Sequence, residues 1–175
     1  MQIREIMTPD TKACLPEKSC AVAGKIMRRR QCGFLPVVDS LTTKRVTGVV
    51  TDRAIMLHLV DLDLPASAVA VKDCMMGVPP MISPDADLEV AVRVMKKEAV
   101  DRLPVIDQGR LVGVLSLQDI VLAAHRQWAY VGPHVTEQCV TEILEAMAIA
   151  LERSKGRSRL ALAHGRKRAG GKNGR

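Results

Sequence analysis

Aromatic residues are almost missing from this 175-residue chain: Phe34, Trp128 and Tyr130 are the only three. A surface that stacks successive bases of single-stranded nucleic acid needs more rings than that, so it is excluded. Long apolar runs are missing too. Charges interrupt every stretch before it nears the roughly 20 residues of a membrane span. No apolar run follows the opening Met1-Gln2-Ile3-Arg4-Glu5, so no secretory signal and no membrane contact are expected. The cysteines, Cys14, Cys20, Cys32, Cys74 and Cys139, are odd in number and include no Cys-x-x-Cys pair. That pattern speaks against a zinc site and against a secreted disulfide framework. Free thiols in a reducing cytoplasm, buried as small apolar groups, are the simpler expectation.

Acids are absent from Arg153 to Arg175, a stretch that holds nine of the 26 Lys and Arg residues. The first 152 residues then carry 17 basic against 19 acidic side chains, a charge of −2 within a total of +7. Basicity belongs to the tail, and a nucleic-acid role for the folded part does not follow from net charge. Catalytic signatures are also lacking. His58, His125, His134 and His164 have no ligand-like spacing, and there is no Gly-x-Ser-x-Gly, Gly-x-x-x-x-Gly-Lys or His-Glu-x-x-His. The expectation is a non-enzyme with no catalytic residue and no bound metal.

What the chain does have is 47% hydrophobic residues, enough for a folded core, and an internal duplication. Val22-Ala23 with Ile26-Met27 recurs as Val90-Ala91 with Val94-Met95, and Leu35-Pro36-Val37-Val38-Asp39 recurs as Leu103-Pro104-Val105-Ile106-Asp107, both at an offset of 68. Met7 matches Met75 and Pro16 matches Pro84 at that offset, whereas Gly48-Val49-Val50-Thr51 recurs as Gly113-Val114-Leu115-Ser116 at 65. The three-residue change falls at Ser40-Leu41-Thr42-Thr43, a turn insertion of the kind surface loops tolerate. In the second copy, Leu88, Ala91, Val92 and Met95 have helical spacing after Ser83-Pro84-Asp85. Leu103 to Ile106 and Leu111 to Leu115 read as strands around an Asp107-Gln108-Gly109 turn, and Leu117 to about Trp128 is helical again. Two such units packed sheet against sheet would bury one shared core.

This order of motifs resembles the cystathionine beta-synthase (CBS) domain, and two in tandem resemble a CBS pair, or Bateman module, over roughly Ile3 to Tyr130. The resemblance implies an α+β fold of two strand-helix-strand-strand-helix repeats related by a pseudo-two-fold. The expected organisation is a first repeat over 1–66, a second over 67–131, an amphipathic helix over 132–153 and a basic, disordered tail over 154–175. In the helix, Val140, Ile143, Leu144, Met147 and Leu151 form one stripe, which suits packing on its own module or binding a partner.

The family's ligands are adenosine compounds held between the repeats: AMP, ADP or ATP above all, and also S-adenosylmethionine or NAD. The residues implied are a Gly-hydrophobic-x-(Thr/Ser)-x-x-Asp stretch and an Arg before the Leu-Pro strand. Here they are Gly113 to Asp119, with Ser116 and Asp119 as its polar members, and Arg102 ahead of Leu103-Pro104. Asp119 suits both ribose hydroxyls. Ser116, beside free backbone N–H groups at a helix start, suits a phosphate. Arg102 offers phosphate a fork of donors. Leu103, Val105 and Ile82 are candidates to sandwich the adenine. The same residues also suit plainer roles, Ser116 and Asp119 as a helix cap and Arg102 as a surface pair with Asp101.

In the first repeat Phe34 stands where Arg102 stands, and Ala54 where Asp119 stands, so that cleft is expected to take no nucleotide. No cofactor is required on this reading. The function implied is a regulatory nucleotide sensor, homodimeric, acting on a separate protein effector. The alternative is a nucleic-acid-associated factor that dimerises through the pair and makes weak contact through Arg153–Arg175; a purely structural pair without ligand is a third reading.

Overall fold

The computed structural model describes residues 1–128 and 140–152. The elements run from a 3₁₀ turn (Ile3–Glu5) through β1 (Thr8–Pro9), α1 (Cys20–Arg30), β2 (Phe34–Val38), β3 (Val46–Thr51), α2 (Asp52–Leu62), α3 (Val71–Cys74), α4 (Leu88–Glu98), β4 (Arg102–Asp107) and β5 (Arg110–Ser116) to α5 (Leu117–Trp128). A further helix, α6, covers residues 140–152. The α+β repeat order expected from the sequence is present, and the basic segment 154–175 lies outside the described residues.

Each hairpin is built from the residues that marked it in the sequence. Asp107↔Arg110 closes β4 on β5 through Gln108 and Gly109, both at positive φ (47° and 78°), the geometry of a two-residue turn that matches strand twist. The longer link between β2 and β3 is held by Asp39, whose carboxylate accepts from Ser40 N, Thr43 Oγ1 and Arg45 N. Those acquired donors hold the Asp39 carboxyl below its ordinary range, Thr43 first among them. Helix α1 ends on Arg28, Arg29 and Arg30, cations that complement the C-terminal dipole.

The pseudo-two-fold is visible bond by bond. Gln31 and Ala99, 68 apart, both adopt the left-handed conformation that stops α1 and α4. A bulge falls at Val37/Val38 and again at Val105/Ile106. The short strands cross between repeats. β1 pairs with β5 of the second repeat at Thr8↔Val114 and Pro9↔Gly113, and Met76 pairs with Val49 of the first. The glycines of the recurring Gly-Val motif explain themselves here. A Cβ on Gly48 would lie 2.4 Å from the Met76 carbonyl oxygen, and one on Gly113 2.7 Å from that of Thr8.

Burial follows the crossing. Ile3 packs in a cluster with Leu88, Met95, Leu103, Leu115 and Ile120, while Val69 and Val71 pack with Cys20, Met27, Leu35 and Val50. The single shared core expected from the sequence is therefore two cores, joined by a small third cluster of Val38, Val46 and Leu111. The reason is that each pair of helices covers its own hairpin. Only the crossing segments and strand ends meet in the middle.

Candidate functional site

A cleft of about 450 Å³ opens where the end of the second hairpin, β1 and the segment between α1 and β2 come together. Three of the residues singled out from the sequence line it: Arg102, Ser116 and Asp119. The other three do not. Ile82, Leu103 and Pro104 are buried, Ile82 bonding to β4 through Ile82 N–Pro104 O (3.1 Å) and Ile106 N–Ile82 O (2.8 Å), and Leu103 sitting in the second core. Leu103 turns to the face of β4 opposite Arg102, whereas Ile82 and Pro104 are tied to each other by the bridge at the edge of that strand. Apolar lining comes instead from Pro9, Phe34, Leu35 and Val114.

Ser116 and Asp119 form a reciprocal cap on α5. Ser116 N and Oγ donate to Asp119 Oδ2 at 2.8 and 2.6 Å, and Asp119 N donates to Ser116 Oγ at 3.2 Å. Asp119 Oδ1 faces β1 and accepts from Thr8 Oγ1 at 3.3 Å, so the crossing strand of the first repeat aims the second repeat's carboxylate. Leu117 N is taken by the Asp101 carbonyl at 2.8 Å. The helix start is thus largely satisfied within the chain, contrary to the expectation of unengaged N–H groups for a phosphate.

Positive charge reaches the cleft from elsewhere. Lys12, Arg30 and Arg102 line it from three different segments. Arg102 Nη1 pairs with Asp101 Oδ2 at 2.7 Å, using one of five guanidinium donors, and both side chains are about one-third exposed. Two acids, Asp10 and Asp119, share the cleft, with Gln118 beside them. The lining therefore divides into an acceptor with a hydroxyl beside it, a set of cations, and an apolar wall that includes an aromatic ring.

Lys12, Arg30, Thr8 and Phe34 were not legible as site residues in the sequence, since they belong to the first repeat or its lead-in. The duplication itself holds the missing signal. At the pseudo-equivalent positions Lys12 becomes Pro80, Arg30 becomes Glu98, and Asp119 becomes Ala54. Thr51, the counterpart of Ser116, accepts from Ala54 N at 3.1 Å and caps α2. The cap is common to both repeats; the carboxylate and two of the cations are not.

Four of the five cysteines lie among the described residues and pack in or against the first core. Cys14 and Cys20 are buried, and Cys14, Cys20, Cys32 and Cys74 are all free. Among the described residues no cluster of three or more His, Cys, Asp or Glu side chains stands ready for a metal, and no helix is long and apolar enough to cross a membrane.

Known proteins match this architecture along both repeats. The family model described as CBS domain matches residues 3–61 and 71–126. The CBS domain-containing protein YhcV of Bacillus subtilis is 29% identical over 124 residues, covering 69% of this chain and 83% of the relative. The crystal structure of CBSX2 in complex with AMP superposes with a TM-score of 0.61 at 26% identity, over 72% of this chain and 97% of that one; CBSX2 is a CBS-pair protein from Arabidopsis thaliana. Inosine-5'-monophosphate dehydrogenase of Streptococcus pyogenes is 27% identical over 106 residues, 60% of this chain but 20% of the dehydrogenase. That match runs only through the tandem repeats.

Proposed function

The chain belongs to the CBS-domain family, and from that premise we propose that it is a sensor of an adenine nucleotide, AMP, ADP or ATP, with one site per chain in the cleft closed by Asp119. The observation that carries this reading is the division of the lining. Asp119 Oδ1, which accepts from Thr8 Oγ1 at 3.3 Å, is the acceptor for the ribose hydroxyls on this reading. Phe34, with Pro9 and Val114, offers the base a flat apolar wall, and Lys12, Arg30 and Arg102 surround the phosphate end. A cleft of about 450 Å³ falls within the size of small-molecule sites. The AMP held by CBSX2 supports the ligand class.

On this reading the protein is not an enzyme. Binding biases the packing of the two repeats, and a separate protein effector reads the result. A homodimer working in the cytoplasm is part of the proposal. Titration calorimetry with AMP, ADP, ATP, S-adenosylmethionine and NAD tests it. One adenine nucleotide per chain is expected, with loss of heat on Asp119→Ala and none on Thr51→Ala. Two equivalent sites per chain, or undiminished binding by Asp119→Ala, overturns it.

A further inference from the structure

The first core holds three thiols where the second, among the described residues, holds none. Cys14, Cys20 and Cys74 have Ile82, Leu88 and Ile6 as their counterparts at the offset of 68. Those three apolar residues pack in or against the second core as the thiols do in or against the first. Aliphatic side chains therefore satisfy the same positions, and packing alone does not call for sulfur there.

Two of the three thiols touch. Cys20 Sγ and Cys74 Sγ lie 3.5 Å apart, sharing a hydrogen bond that either can donate, although 54 positions separate them in the chain. The backbone holds them together. Cys20 N donates to Val69 O at 2.8 Å and Ala21 N to Ala66 O at 2.9 Å. In the other direction Val71 N donates to Lys18 O at 2.8 Å and Lys72 N to Pro16 O at 2.9 Å. Cys20 opens α1 and Cys74 ends α3, so both sulfurs stand on segments that are fixed against each other. Closing to the roughly 2 Å of an S–S bond takes about 1.5 Å of approach, within reach of side-chain rotation. Cys20 is 1% exposed and Cys74 is half-buried, so a small reagent meets Cys74 first.

We propose that Cys20 and Cys74 form a reversible disulfide, made by exchange with a low-molecular-weight disulfide, that fastens the start of α1 to the segment leading into the second repeat. Cys74 Sγ, as thiolate, attacks one sulfur of the small disulfide, whose S–S bond breaks and releases one thiol. Cys20 Sγ then attacks Cys74 Sγ in the mixed disulfide; the intramolecular S–S bond forms and the second thiol leaves. Two protein thiols are oxidised, the small disulfide is reduced to two thiols, and the cysteine protons end on those. The bond braces the crossing strand as well, because Met76, two residues on, exchanges hydrogen bonds with Val49 at 2.8 and 3.1 Å. Burial first, then Cys20, with Asp73 and Cys14 adding to it, pushes the Cys74 thiol up to about 12. Thiolate is therefore scarce at neutral pH and the exchange is slow. Its rate should keep rising past about pH 8.5, where an ordinary thiol levels off.

Oxidised glutathione added to the full, reduced chain tests the assignment. Cys20 and Cys74 should become resistant to alkylation together, and a tryptic digest should contain the two peptides that hold them joined as one species. The melting temperature should rise by at least about 5 °C and return with dithiothreitol, since the bond ties positions 54 apart in the unfolded chain. Cys74→Ala should show neither the joined peptides nor the rise, and Cys14→Ala should form the same bond as wild type. Glutathione that stays on Cys74, a Cys20 that remains open to alkylation, or a bond made to Cys14 instead overturns the proposal. The wild-type digest reads all three results whether or not a variant folds.

Discussion

The first and second repeats share a backbone down to the bulge, the left-handed helix stops and the glycine under the crossing strand, yet they differ in what that backbone presents. Around the cleft described above stand Asp119, Lys12 and Arg30; their counterparts are Ala54, Pro80 and Glu98. On the outer face the second repeat is covered by α6, whereas nothing among the described residues covers the first. Duplication thus supplied two equal scaffolds, and side-chain divergence gave the cleft at Asp119 a carboxylate and cations that the pseudo-equivalent positions lack. A shared fold constrains where a site lies without fixing whether there is one.

The sharpest way to break this comparison is at the carboxylate. Asp119→Ala should lower adenine-nucleotide affinity by about a hundredfold or more, the cost of leaving ribose hydroxyls and the polar groups around them unpaired in a desolvated cleft. Calorimetry reads the loss directly, and equal retention by the variant would make the two clefts alike. The glycines test the opposite claim, that the scaffolds are the same. Gly48→Ala and Gly113→Ala should each destabilise by about 1–3 kcal/mol, because the new methyl meets a crossing carbonyl and the strand must shift. The effect should be larger at Gly48, where the approach is 2.4 Å against 2.7 Å; urea denaturation ranks them.

The caps separate stability from function. Thr51→Ala and Ser116→Ala should cost a similar amount, about 1 kcal/mol each, since each removes one helix-capping acceptor. Only Ser116→Ala should change nucleotide affinity as well. Paired denaturation and calorimetry check this, and an affinity loss in Thr51→Ala would place a ligand in the first cleft.

The smallest expected effect is confined to the core around Cys14 and Cys20, against which Cys74 packs, and depends on pH. Burial pushes the Cys14 thiol up to about 11, with Cys20 adding to it, and Cys74 up to about 12, burial leading and Cys20 contributing by hydrogen bond and charge. Unfolded thiols ionise near about 8.5. The folded state therefore favours the protonated form. That contribution is complete below the unfolded value and is lost as pH rises through about 11 and 12. The melting temperature should hold to about pH 8.5 and then fall, and Cys14→Ala/Cys74→Ala should flatten the decline.

Periodicity and self-similarity made the repeats, the hairpins and the capping residues legible, because spacing along one segment decides which face a side chain takes. Arg102, Ser116 and Asp119, which line the cleft, were singled out this way. So was α6, though its stripe divides: Val140, Ile143 and Met147 pack inward, while Leu144 and Leu151 stay exposed. Ile82, Leu103 and Pro104 are buried and do not line the cleft; apolar character marks burial and does not say whether core or cleft is the burying surface.

By itself, the order of residues determined two copies of one α+β unit, the hairpin register, the near-neutral body and the asymmetry between Asp119 and Ala54. Tertiary structure alone decided that the short strands cross, so that Thr8 orients Asp119 and a first-repeat ring and two cations complete a second-repeat cleft. It also decided which helical face α6 covers. Local pattern specifies each segment's own geometry, whereas contacts between residues some 70 to 110 positions apart arise only when the chain closes on itself, and those contacts built the cleft.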